Sequence, residues 1–131
     1  SNLMYADAVG AGRIAVAGRE LTCVDKDGAT GEVTVSIRPE RVEIHPPDHA
    51  GENVLVGEIE RVVFAGPLLN VLVTVEEVGT IQVTVPNQGG SFRWDWPDKV
   101  ALHFPTEALR IVSETGTATE ELDAELEEEE A

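Results

Sequence analysis

Apolar and polar residues alternate through most of the first 112 positions, in short runs broken by turn residues. Ile14 and Val16 share one side of a run over 13–17, and Val33, Val35 and Ile37 share one side over 32–37. The pattern returns over 54–64, over 69–75 with Val71, Val73 and Val75, and over 80–85 with Ile81, Val83 and Val85. It closes over 99–104 with Val100, Leu102 and Phe104. Period-two alternation sets one face of a strand against a core. Asp27-Gly28, Ala65-Gly66-Pro67, Val78-Gly79 and Asn87-Gln88-Gly89-Gly90 supply turn chemistry between the runs. Short strands at this spacing predict an all-β barrel or sandwich, and nothing before residue 113 has the period of a long helix.

Displaced by 67 residues, the chain aligns with itself without gaps: Gly12, Ile14 and Val16 fall on Gly79, Ile81 and Val83. Val33, Val35 and Ile37 fall on Val100, Leu102 and Phe104, and Glu40, Val42 and Ile44 on Glu107, Leu109 and Ile111. The shared glycine and the Glu-x-apolar-x-Ile ending go beyond simple alternation. The expected fold is therefore an OB-like β-barrel of two small lobes of similar topology that share strands. Residues 1–52 form the first lobe, 53–112 the second, and 113–131 an acidic tail. In the tail, Thr117 with Glu120 fits a capping box and Leu122 stands one helical turn from Leu126. The acids at 127–130 oppose the dipole of such a helix.

Charge narrows the partners. The formal net charge is −16, with nine acidic and no basic residues from Glu114 onward. Such a surface repels nucleic acid and anionic lipid, and it suits cations or basic partners. No apolar run reaches the roughly 18 residues of a membrane helix, and residues 1–10 lack the pattern of a secretory signal. The opening Ser1-Asn2, with no initiator Met, is expected of a segment cut from a longer chain. Cys23, the single cysteine, lies in the apolar run 21–24 and reads as a buried, inert thiol.

The run Val35-Ser36-Ile37-Arg38-Pro39-Glu40-Arg41-Val42 resembles the "strand, Ile-Arg-Pro-Glu, apolar" signature of the transport-associated OB (TOBE) domain, which follows the ATPase of ABC importers. Gly57-Glu58-Ile59 leading to Phe64-Ala65-Gly66 is similar to that family's next element, and 69–75 with 80–86 to its strand pair. Asp98-Lys99-Val100 through Glu107 resembles its closing element, with Pro97 in place of the usual Gly. The likeness covers roughly residues 8–112. Val85-Pro86-Asn87 and Trp94-Asp95-Trp96 look most like the polyamine branch.

The resemblance implies a C-terminal regulatory and dimerisation domain, non-catalytic by itself. It implies no cofactor in this segment, since ATP and Mg would belong to an ATPase domain elsewhere in the parent. The implied partners are that ATPase domain, a second copy in a homodimer, and permease subunits reached through the parent, with no nucleic acid. The implied location is the cytoplasmic face of the cell membrane. The alternative is a free-standing oxyanion-binding β-barrel of the molybdate type, which the net charge opposes.

Pro39 lacks a donor and ends its strand, so Glu40 is placed to bond turn amides and Arg38 to offer a planar fork to a carboxylate. Arg38, Glu40, Trp94 and Trp96 are the candidate interface or regulatory residues. Phe92, Trp94 and Trp96 share a face if extended, which suits a subunit interface or, through cation–π contact, a polyamine. His45-Pro46-Pro47-Asp48-His49 places two imidazoles and a carboxylate in five residues, but the prolines make it a rigid connector rather than a metal site. His103 alternates away from Leu102 and Phe104 and reads as a surface or interface residue. No catalytic residue emerges: the serines lack a His/Asp relay, and no pair of acids stands apart.

A Gly-x-x-x-x-Gly-Lys-Ser/Thr loop is missing from these 131 residues. The purified chain is expected to show no Mg-ATP turnover above a mock preparation in a phosphate-release assay. Measurable turnover would contradict this reading.

Overall fold

The computed structural model describes residues 1–24, 28–87 and 98–114, with side chains described through Val112. The first half runs β1 (Asn2–Gly10), β2 (Arg13–Val16), β3 (Arg19–Thr22), β4 (Thr30–Ile37), a 3-10 turn η1 (Pro39–Arg41) and β5 (Glu43–His45). The second runs β6 (Val54–Ala65), β7 (Leu68–Val75), β8 (Gly79–Pro86), β9 (Lys99–His103), η2 (Thr106–Ala108) and β10 (Arg110–Glu114). The all-β expectation holds. None of the described helices is long and apolar enough to cross a membrane.

Two five-stranded antiparallel sheets form, in the orders β10-β4-β1-β2-β3 and β5-β9-β6-β7-β8. The two sequences of elements are equivalent, and each gives its last strand to the other: β5 pairs with β9, and β10 with β4. The cause is visible at the strand ends. Pro39 cannot donate to a ladder, so β4 stops at Ile37 and the one-turn η1 carries the chain across. Pro105 follows β9 one position earlier relative to its turn, as the residue preceding η2 and the counterpart of Arg38.

The 67-residue displacement is correct from β4 onward, carrying Pro39 onto Thr106 and Glu43 onto Arg110. It fails upstream. By position in the sheet, β2 matches β7 and β3 matches β8, whereas the gapless displacement lays β2 on β8. β7 and β8 have eight residues each against four in β2 and β3, and alternation slides by two residues without exposing a wrong face. β1 was not legible as a strand, because its outward residues include the apolar Leu3, Tyr5 and Val9 while its inward set is Met4, Ala6 and Ala8. The four-residue β3 and three-residue β5 are too short to show a period.

Inward side chains of both sheets form one core, with Ile14, Val33, Val35, Val71, Val83, Leu102 and Phe104 all essentially solvent-free. Cys23 is buried in it. Gly57 is required where β6 runs close against β7: a Cβ there would stand 2.7 Å from the Thr74 carbonyl oxygen and 2.8 Å from Val73 Cγ1.

Two buried carboxamides tie the sheets together. Asn2 donates from Nδ2 to the Gln82 carbonyl (2.8 Å) and accepts the Gln82 N–H at Oδ1 (2.9 Å). Asn53 accepts the Thr22 N–H at Oδ1 (2.9 Å) and donates from Nδ2 to the carbonyls of Thr22 and Phe104 (2.8 Å each). Gln82 is on β8 and Thr22 on β3, the edge strands, so each carboxamide replaces a missing ladder partner. The two are equivalent: Asn2 pairs with Ile37, Asn53 accepts the Phe104 N–H, and the displacement relates Ile37 to Phe104. Asn53 also takes a left-handed backbone (φ 57°), which Asn tolerates better than most residues.

Asn53→Ala strands the buried carbonyl of Phe104 and the edge groups of Thr22, and it is expected to lower unfolding free energy by about 2–3 kcal/mol. Urea unfolding of both proteins checks this. A loss under about 1 kcal/mol would mean that water replaces the carboxamide.

Candidate functional site

Three arginines meet where β10 joins β4. Ser36 is the register partner of Arg110 in that pairing. Val35 and Ile37 point into the core, so Ser36 and Arg110 lie on the outer face, and Arg38 continues that side beyond the strand. Proline at the next position holds Arg38 extended (φ −74°, ψ 142°). η1 then folds back, with the Arg41 N–H donating to the Arg38 carbonyl at 2.9 Å, and presents Arg41 beside it. From the second half of the chain, η2 brings Glu107, whose Oε1 lies 3.4 Å from Arg41 Nη2. These residues, with Ser1, line an open cleft of about 350 Å³.

Its electrostatics are unusual for this protein. Three of the nine basic residues sit around one cleft with a single carboxylate, in a chain of net charge −16. Arg38 and Arg110 make no ion pair among the described residues. A larger cleft of about 570 Å³ beside β3 contains Arg13 and Arg19, but Glu20 and Glu52 balance them and Arg13 already pairs with Glu20 at 3.2 Å. Charge imbalance, not volume, singles out the smaller cleft. Guanidinium forks unmatched by carboxylates are donors for a planar or tetrahedral oxyanion.

The equivalent place on the other sheet has inverted chemistry. The displacement carries Ser36 onto His103, Arg41 onto Ala108, and Glu43 onto Arg110. There Glu43 is the register partner of His103, as Arg110 is of Ser36. Strand exchange thus produces two related positions, one cationic and one holding a carboxylate with imidazoles.

Of the residues singled out from sequence, Arg38 lines the cleft, and Glu40 is exposed on η1 outside its lining. Among the described residues the expected bond from Glu40 to turn amides is absent: the turn closes through its own backbone, and Pro39 has no N–H to cap. Phe92, Trp94 and Trp96 lie outside the described residues. His103 joins His45 and His49 across the β5–β9 pairing, which separation in sequence concealed. Ser36, Arg41 and Arg110 were not singled out. The signal for Arg110 was present, since it is where the repeat changes a Glu for an Arg.

Residues 35–112 match the family model described as the TOBE domain. No curated protein sequence matches the chain. Among solved structures, the chain is similar to a protein described as the cytoplasmic molybdate-binding protein ModG, in a form with molybdate bound. The TM-score is 0.68 at 13% identity, covering 86% of this chain and 95% of that one. At that identity the likeness speaks for the fold.

The Arg41–Glu107 contact is between exposed side chains, and such pairs contribute little to stability. Glu107→Ala is therefore expected to change unfolding free energy by no more than about 0.5 kcal/mol in urea titrations. A loss above about 1.5 kcal/mol would make the pair a structural fixture and remove Arg41 from the set free to bind.

Proposed function

The chain belongs to the TOBE domain family, and from that membership we propose that it is a non-catalytic binding domain that takes a small oxyanion at the Arg38–Arg41–Arg110 cleft. The observation that carries this reading is the local excess of arginine on an otherwise acidic protein. The global charge does not forbid it. At about 0.15 M salt the Debye length is about 8 Å, so a bound anion responds to the guanidinium groups that touch it and only weakly to distant carboxylates. The hydroxyl of Ser36 adds a neutral donor at the same cleft. The fold is shared with a molybdate-binding protein, which is support for the class of ligand and no more.

A second reading keeps the domain in an importer. The exposed Arg38-Pro39-Glu40 turn supports it, because a regulatory domain must present residues to an ATPase domain or to a second copy. In that setting ATP and Mg stay with the ATPase domain, permease subunits are reached through it, and the whole lies at the cytoplasmic face of the membrane. The two readings are compatible if the anion is the signal relayed. The polyamine variant rests on Trp94 and Trp96, outside the described residues, and on Pro86-Asn87, and the cationic cleft offers a polyamine nothing.

Calorimetry with molybdate, sulfate, phosphate, spermidine and single-stranded DNA separates these ligands. The expected result is a saturable heat with one or more oxyanions, weakened at least tenfold by Arg41→Ala or Arg110→Ala, and weakened by added NaCl. Each substitution removes a charge-assisted hydrogen bond of about 1.5–3 kcal/mol. Binding of spermidine with no oxyanion binding would overturn the proposal, as would anion binding indifferent to both substitutions.

A further inference from the structure

The arginine cleft has its opposite in charge within the same chain. No basic residue follows Arg110, while nine acids do, from Glu114 to Glu130. Those carboxylates have no cation in their own segment to pair with, and like charges so close in sequence repel one another. The nearest guanidinium along the chain is that of Arg110, which lines the cleft with Arg38 and Arg41. Arg38 and Arg110 carry no ion pair among the described residues. The third arginine shows what the cleft accepts: a carboxylate, Glu107, stands 3.4 Å from Arg41 Nη2.

We propose that the acidic segment 120–130 is the partner of this cleft: its carboxylates dock on Arg38 and Arg110 and compete there with a free oxyanion. The spacing along the chain permits it. β10 runs away from the cleft, since Arg110 stands opposite Ser36 and Glu114 opposite Val33. Three steps along β4 are about 10 Å. Residues 115–119, Thr-Gly-Thr-Ala-Thr, carry no charge. Five residues reach up to about 17 Å, so Glu120 can return to the level of Arg110. The acids that follow it have either guanidinium within range.

Tethering decides the balance. An exposed carboxylate–arginine pair is weak by itself and is screened by salt. On a short tether the carboxylates meet the cleft at an effective concentration on the order of millimolar, and the eight acids over 120–130 are exchangeable occupants. Weak pairing then holds the cleft for part of the time, and a free anion binds with an apparent affinity lowered by the fraction of clefts left open. An oxyanion that bridges two guanidinium groups displaces the tail. Docking stands on charge and reach alone, whereas its consequence for a ligand rests on the oxyanion reading of the cleft.

A nitroxide attached at Ala124→Cys reports the docking directly, because Cys23 is buried and is not labelled. In the ¹⁵N-labelled full chain at low salt, broadening of backbone amide signals is expected to be strongest at residues 36–41, not at 30–34 where β10 ends. It should be lost in about 1 M NaCl, where the Debye length is about 3 Å. Changing the eight acids over 120–130 to Gln and Asn in the full chain should raise oxyanion affinity at least threefold at low salt. Free peptide of residues 115–131, added to that variant at about 10 mM, should compete with the oxyanion again. Broadening centred on 30–34 and indifferent to salt would overturn the proposal. An oxyanion bound equally by the two chains would overturn it too, and peptide without effect would assign the gain to net charge and do the same. If neither chain binds an oxyanion, the ligand reading of the cleft falls, and the broadening alone decides the docking.

Discussion

A strand that meets a proline must stop pairing there, and in this protein that constraint acts twice. Pro39 ends β4 and Pro105 follows β9, and after each a single 3-10 turn sends the last strand to the opposite sheet. Neither sheet is complete without the other half of the chain. The core is accordingly continuous, and the carboxamides of Asn2 and Asn53 add bonds to the edge strands opposite the exchanged ones, at Gln82 of β8 and Thr22 of β3. The two halves are therefore bound by shared strands as well as by the buried apolar area between them, and opening one sheet exposes the other.

The exchange also decides where chemistry is gathered. Each crossover sets the turn after one sheet's strand beside the terminal strand of the other half, so residues far apart in sequence become neighbours. Arg38 and Arg41 meet Arg110 in one place, and Glu43 meets His103 in the other. A duplicated framework with diverged side chains gives two positions of opposite charge preference. On a protein of net charge −16, the cationic one is the exception.

Alternation made these strands readable, because β4, β7, β8 and β9 each bury a face of Val, Ile or Leu. The same regularity hid the register of the repeat, since a strand can slide two places against its copy at no cost to the pattern. Arg38 stands out through its motif, whereas the one signal for Arg110, an Arg where the repeat has Glu43, takes on meaning through its pairing with Ser36. Asn53 gave no sequence signal at all. Its role depends on a left-handed backbone and on two carbonyls 31 and 51 residues away. Pairings between distant segments carry both the arginine cleft and the histidine cluster, and local pattern does not encode them.

The central claim is that one of two equivalent crossovers has become an anion site and the other has not. Backbone amide chemical-shift mapping of the ¹⁵N-labelled chain during titration with molybdate measures this directly. The account predicts shifts concentrated at residues 36–41 and 107–112, with 43–45 and 101–103 unmoved. Shifts centred on Glu43 and His103, or spread evenly over both crossovers, would contradict it.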